Sequence, residues 1–339
     1  MARKGGWRRR GSQRRGFRYV DSRGRAITDE AALERIESLS IPPAWKDVWI
    51  SPRAGAKLQA TGADKAGRRQ YLYHPEYRAR QEQAKYDKLV RFAERLPELR
   101  RTMDKHMDLE PLSFEWTAAV AVRLINEGWF RVGSERYARS YKTFGITTLR
   151  RNHVRVRGSR ITFRFRAKHR VLCHTVLVDA ELAAAMKELL ALPGGRRVFR
   201  YRDDEEVYNL GARRLNEYIS EYMGEDFTAK DFRTWGGTLI AAIELAEREL
   251  PETVAEQKRT VAAVMRKVGE RLGNTPAVAR ASYVSPAVVE QYLDGRTIDD
   301  FRPRHLRVVG ARDTRLDPEE QALLSLLRSW RIRRARVAA

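Results

Sequence analysis

Hydrophobic and polar positions change period along this chain. Between residues 17 and 73, apolar residues fall in short runs at 17–20, 48–51, 57–61 and 70–73, separated by Gly, Pro, Asp and Ser. Such runs predict short strands. A helix over 28–38 interrupts them, with Thr28 as its N-cap and acidic residues in its first turn. From Pro75 the spacing becomes helical and predicts a long helix over 76–96. Further helices are expected at about 114–128, 135–141, 179–192, 209–223, 234–249, 253–272, 276–282 and 286–293. One β element breaks the series: Ile161, Phe163, Phe165 and Ala167 alternate with Thr162, Arg164, Arg166 and Lys168. Strict alternation is the mark of a half-buried strand. A second strand over 171–178 follows a short turn, which leaves Lys168 near a hairpin tip. A leucine-rich helix over 318–336 ends in an arginine cluster.

The expected architecture is α+β: a small β-rich N-terminal domain followed by a mostly α-helical domain with a small β-hairpin or sheet. Residues 1–16 are rich in Arg and Gly and are expected to form a flexible basic arm. Residues 17–84 form the β-rich domain, 85–303 the helical domain, and 304–339 a tail with a basic helix. No internal repeat is evident.

Composition narrows the partner. The 339 residues allow two domains, and 42% hydrophobic content suffices for real cores. Lys and Arg number 67 against 44 Asp and Glu, a net charge of +23. That excess creates a field attracting polyanions, of which nucleic acid is the leading one. No run of eighteen apolar residues offers a membrane span, and the basic N-terminus lacks the apolar core of a secretory signal. A cytoplasmic, nucleoid-associated chain that does not enter membranes is expected. Cys173 is the sole cysteine, which excludes an internal disulfide and a multi-cysteine zinc site. No Gly-x4-Gly-Lys-Ser/Thr loop or evident carboxylate cluster is present, so neither a nucleotide cofactor nor a metal is expected.

Candidate chemistry begins at Leu272-Gly273-Asn274-Thr275-Pro276. Gly273 suits the left-handed residue that closes a helix, Thr275 an N-cap, and Pro276 a first helical position. A short helix then presents Tyr283, nine residues after Asn274. A phenol can attack a phosphodiester and hold one DNA end covalently, although most tyrosines are packing residues and Asn often only closes a turn. Arg131 follows an apolar helix ending Gly128-Trp129-Phe130; Arg233 lies in Lys230-Asp231-Phe232-Arg233-Thr234 just before another. Each has an ordinary reading: a solvated or salt-bridged Arg131, an Arg233 paired with Asp231, a solvated Lys168. Together they form a set that phosphodiester cleavage needs. Guanidinium forks suit the non-bridging oxygens, a Lys crowded by cations suits protonation of the leaving alkoxide, and an arginine-rich pocket helps a phenol ionise.

The ordered strings Arg131-Val-Gly-Ser-Glu-Arg-Tyr, Phe-Arg-Ala-Lys168, Lys-Asp-Phe-Arg233-Thr and Gly-Asn-Thr-Pro…Ser-Tyr283 resemble the type IB DNA topoisomerases, in their compact poxvirus and bacterial branch, from about residue 17 to 300. The resemblance implies a tyrosine recombinase-like catalytic fold and a monomer that clamps double-stranded DNA. It implies that Tyr283 forms a 3′-phosphotyrosyl bond, that Arg131 and Arg233 hold the scissile phosphate, and that Lys168 is the general acid. Asn274 stands where many members carry His. Gln70, Tyr71 and Tyr73 fall where the family has DNA-contacting tyrosines, and Tyr137 is a further candidate contact. The implied activity relaxes positive and negative supercoils without ATP or metal. A tyrosine recombinase is the alternative enzyme, but those usually carry His three residues before the second Arg, where Lys230 stands as a possible accessory. A non-enzymatic architectural DNA binder is the remaining alternative.

Overall fold

The computed structural model describes residues 5–302 and 315–338. Residues 303–314, which include the start of the tail expected over 304–339, lie outside the described residues. Contacts divide the chain into two compact units, Met1–Asp87 and Lys88–Ala339.

The first unit is built on an antiparallel sheet of five strands in the order β2-β1-β3-β4-β5. These are β1 (Trp7–Ser12), β2 (Gly16–Val20), β3 (Lys46–Ile50), β4 (Leu58–Ala63) and β5 (Arg69–Tyr73). Helix α1 (Glu30–Ser38) contributes Ile36 to a small core with Ile41, Val48, Ile50 and Ala60. Its N-cap is Asp29, whose carboxylate accepts from the Ala32 amide at 2.8 Å, one residue later than the expected Thr28.

The expected flexible arm is corrected by β1. Residues 8–12 pair with β2, and Trp7 and Arg8 pair with Ile50 and Trp49 of β3. Charge did not prevent packing because the arginine found neutral partners. Arg9 donates to the Pro42 carbonyl at 3.0 Å and the Trp45 carbonyl at 2.7 Å, and its guanidinium lies 4.2 Å from the Phe17 ring centroid.

Helix α2 (Pro75–Met107) starts in the first unit and ends in the second. It runs through Pro97 instead of stopping at residue 96. An interior proline costs about 3 kcal/mol. Burial of Leu96, Leu99 and Met103, at roughly 1.5–3 kcal/mol each, offsets that.

The second unit is mostly helical: α3 (Phe114–Gly128), α4 (Glu135–Tyr141), α5 (Ala180–Ala191), α6 (Ala212–Met223), α7 (Ala229–Ala246), α8 (Val254–Leu272), α9 (Pro276–Ser282), α10 (Pro286–Leu293) and α11 (Pro318–Ala338). A three-stranded antiparallel sheet, β6 (Val154–Arg157), β7 (Arg160–Arg166) and β8 (Leu172–Val178), packs Ile161, Phe163 and Phe165 inward, as their alternation predicts. Two starts differ from expectation. Residues 206–209 form strand β10 (Glu206–Asn209) against β9 (Arg200–Asp203), so α6 begins later. Helix α7 begins five residues early because Thr228 and Asp231 form a reciprocal capping box, the Asp231 carboxylate accepting from the Thr228 amide at 2.9 Å. Arg233 therefore lies inside α7, not before it. No described helix is long and apolar enough to cross a membrane.

Candidate active site

The site is assembled where α3, α7, α8 and α9 end or begin. Helix α3 closes on Trp129, a non-glycine residue in the left-handed region at φ 49°. Two residues on, Arg131 is fixed through its backbone: the Ile146 amide donates to its carbonyl at 2.9 Å, and the Thr147 amide to that of Val132 at 2.8 Å. Gly145 permits that approach, since a Cβ there would lie 2.4 Å from the Arg131 carbonyl oxygen.

Helix α8 ends at Gly273 (φ 61°), and the Asn274 amide donates back to the Gly269 carbonyl at 2.7 Å. The last turn of a helix leaves carbonyls without intrahelical partners and carries a partial negative charge. Those carbonyls hold the arginines. Arg131 Nη2 donates to the Gly273 carbonyl at 2.9 Å and to Asn274 Oδ1 at 2.7 Å. Arg233 Nη2 donates to the Leu272 carbonyl at 2.7 Å, and its Nη1 to the Trp129 carbonyl. Neither guanidinium meets a carboxylate among the described residues. Asp231 is instead paired with Lys88 at 2.9 Å, which removes the ordinary reading of Arg233 as its partner. Two half-buried or buried cations held only by neutral oxygens keep their full charge for an incoming anion. Arg233 Nε is moreover a buried donor with no partner.

Tyr283 caps the C-terminus of α9, its amide donating to the Ala279 carbonyl at 2.9 Å. Its own carbonyl accepts from Thr238 Oγ1 at 3.2 Å, and the Ser285 amide donates to the same buried hydroxyl at 3.1 Å. Gly237 on α7 makes room for the contact, because a Cβ there would lie 2.8 Å from the Tyr283 carbonyl oxygen. The Arg233 guanidinium carbon sits 5.0 Å from the Tyr283 ring centroid. Lys168 occupies a short turn between β7 and β8, in which His169 and Arg170 both have positive φ. Arg131, Lys168, Lys230, Arg233, Asn274 and Tyr283 all line one cleft of about 1050 Å³.

Electrostatics follow from this crowding of cations. Burial pushes the Tyr283 phenol up, but the charge and hydrogen bond of Arg233, with Arg131 and Lys230 behind it, outweigh burial and hold it below its ordinary value. Burial and the neighbouring Arg233 bring Arg131 down to about 10, so it remains charged at neutral pH. Burial also lowers Arg233 and raises the Cys173 thiol.

Sequence reasoning did not identify the Trp129, Leu272 and Gly273 carbonyls or Thr238 as anchors. Main-chain acceptors carry no residue-type signal.

In the first unit, Tyr71 and Tyr73 are exposed on one face of β5 with near-parallel rings 6.3 Å apart, and Lys57 Nζ lies 4.2 Å from the Tyr77 ring centroid. Gln70 is on the opposite face of the strand, its amide donating to Asp64 Oδ2 at 2.9 Å. Tyr137 is exposed on α4, its ring 5.6 Å from that of Tyr141.

Residues 74–299 match the family model of the eukaryotic DNA topoisomerase I catalytic core, and residues 16–64 that of the bacterial DNA topoisomerase IB N-terminal domain. The DNA topoisomerase 1B of Acanthamoeba polyphaga mimivirus is 30% identical over 284 residues, covering 81% of this chain and 84% of that protein. The DNA topoisomerase 1B of Vaccinia virus (strain Copenhagen) is 23% identical over 278 residues, covering 80% and 85%.

Proposed function

This chain belongs to the type IB DNA topoisomerases, and from that premise we infer how its cleft cuts and reseals DNA. Tyr283 gives up its phenolic proton to solvent water and attacks the scissile phosphorus. The bond from phosphorus to the 5′ oxygen breaks, Lys168 protonates that oxygen, and a 3′-phosphotyrosyl bond forms. The downstream strand rotates, and its 5′-hydroxyl, returning its proton to Lys168, then attacks the phosphotyrosine to restore the backbone and release Tyr283, which regains a proton from water. The phosphodiester energy stays in the covalent intermediate, so the cycle needs no nucleotide.

Arg131 and Arg233 neutralise the non-bridging oxygens, which gain charge in the transition state. Asn274 orients Arg131 through its Oδ1; one of its amide N–H groups donates to the Leu272 carbonyl at 3.4 Å, which leaves the other to donate to one of those oxygens. It supplies no cation and no proton relay, unlike the His of many family members. Lys230, exposed at the start of α7, adds positive charge beside the phenol. The observation that supports these roles best is the pair of carboxylate-free arginines, fixed by the α8 carbonyls and set against Tyr283.

Tyr71, Tyr73 and Tyr137 are proposed as duplex contacts. Gln70 supports the Asp64 turn with one amide N–H and keeps its carbonyl oxygen and its second N–H for DNA. The functional form is a monomer acting on duplex DNA in the nucleoid, with the first unit closing over the helix. Relaxation of negatively and positively supercoiled plasmid, with EDTA and without ATP, tests the proposal. Loss of both signs of relaxation on chelation, or dependence on ATP, would count against it.

A further inference from the structure

The C-terminal helix α11 lies outside residues 74–299, the stretch matching the catalytic-core model. It is nevertheless joined to the back of the catalytic helix through one carboxylate. Glu320, in its first turn, is 3% exposed. Arg100 of α2 grips it from two sides, Nη1 on Oε2 at 2.6 Å and Nη2 on Oε1 at 2.8 Å. The Asp317 amide donates to Oε2 at 3.1 Å, and Trp235 Nε1 of α7 donates to Oε1 at 3.0 Å. Arg100 Nη2 also reaches Asn126 of α3 at 3.1 Å. One buried oxygen pair therefore ties α11 to α2 and α7, and through Arg100 to α3.

The position of Trp235 on α7 gives the tie its consequence. At about 100° per residue, Arg233, Gly236 and Gly237 share one face of α7. Trp235 points to the opposite face. The first face carries the guanidinium over Tyr283 and the glycine against its backbone; the second is held by Glu320. A buried carboxylate is costly unless fully partnered, and this one has four donors with fixed directions. We propose that Glu320 is a positioning residue for cleavage: acting through the Trp235 indole, it sets where α7 presents Arg233 to Tyr283. This rests on the roles inferred above for Arg233 and Tyr283.

The gentlest perturbation is Trp235→Phe in the full chain, which keeps an aromatic ring and the Arg100–Glu320 pair and removes the N–H donor together with part of the buried indole volume. Relaxation rate with enzyme in excess, duplex affinity by filter binding and thermal melting are measured across about pH 6 to 10, bracketing the phenol. The cations acting on Tyr283 are Arg233, Arg131 and Lys230, and Lys168, His169 and Glu270 line the same cleft; of these, Arg233 is the one displaced. The expected result is a rate about tenfold lower, affinity within about twofold of wild type, and a pH–rate profile moved to higher pH. Glu320→Gln, which retains an acceptor for the indole, should recover much of the rate lost in Glu320→Ala. A wild-type rate and profile in Trp235→Phe would overturn the proposal, as would rate, affinity and melting temperature falling together. Tyr283→Phe serves as the reference. If it still relaxes plasmid, the site reading itself fails; if it is inert while Trp235→Phe matches wild type, only the role of Glu320 falls.

Discussion

Gly237→Ala tests how tightly the nucleophile is placed. The added Cβ would lie 2.8 Å from the Tyr283 carbonyl oxygen and 3.0 Å from both Tyr283 Cβ and Leu272 Cδ1. The nearest atom is main chain, anchored by the Thr238 hydroxyl and by the Tyr283 amide on Ala279, so no side-chain rotation relieves the clash. Tyr283 must retreat by about half an ångström to reach ordinary contact. Overpacking of this kind costs about 1–3 kcal/mol, and replacing Gly by Ala inside a helix returns about 0.5–1 kcal/mol. The net loss is small beside a typical stability of about 5–15 kcal/mol, so the variant should fold. Its chemistry should suffer more, because a misplacement of about 1 Å can cost a hundredfold in rate. The expected outcome is a melting temperature lower by a few degrees and a single-turnover rate of covalent adduct formation lower by about tenfold to a hundredfold. The assay mixes excess enzyme with supercoiled plasmid and quenches with SDS. A variant that melts lower yet cleaves at the wild-type rate would refute the claim that the α7–Tyr283 contact sets the nucleophile.

Other perturbations separate the remaining roles. Lys168→Ala should slow cleavage by about a hundredfold or more on an ordinary substrate, while a 5′-bridging sulfur, which leaves without a proton, restores most of the rate; absence of rescue argues against the acid role. Cations hold the Tyr283 phenol below its ordinary value, so its reactive phenolate gains population at lower pH than in a free tyrosine. Single-turnover cleavage should therefore rise with pH and level off below about 10, and Lys230→Met should move that rise to higher pH; an unchanged profile removes Lys230 from the site. Replacing Tyr71 and Tyr73 together by Ala should weaken duplex binding several-fold without changing its salt dependence, since neither residue releases counterions. A changed salt slope would mean that the substitutions disturbed phosphate contacts.

Much of the site was legible because its side chains are set in strings whose residue types the chemistry requires. Arg131, Lys168, Lys230, Arg233, Asn274 and Tyr283 come from five segments, and the structure brings them to one cleft. The turn before Tyr283 was legible for a local reason: Gly273, Thr275 and Pro276 each prefer the backbone they adopt. What stayed hidden depends on neighbours distant in sequence. Strand β1 was concealed by its charge, because nothing local shows that Arg9 will meet the carbonyls of residues 41–45. The start of α7 was misplaced because its first turn is polar and only the spacing of Thr228 and Asp231 marks it. The continuation of α2 through Pro97 rests on tertiary burial overriding a local breaker. Glu320 gave no sign at all, since an acidic residue in the first turn of a helix is ordinary until Arg100 and Trp235 are found around it.

The central claim is that Tyr283 becomes covalently joined to DNA, and trapping that bond tests it most directly. Wild-type enzyme is mixed with plasmid, quenched with SDS, digested with nuclease and protease, and the nucleotide-bearing peptide is identified by mass spectrometry. The account predicts a phosphotyrosyl link at Tyr283, with the nucleotide joined through its 3′ oxygen, and no adduct in Tyr283→Phe despite retained DNA binding. An adduct on another residue, a 5′ linkage, or an adduct surviving in Tyr283→Phe would contradict it.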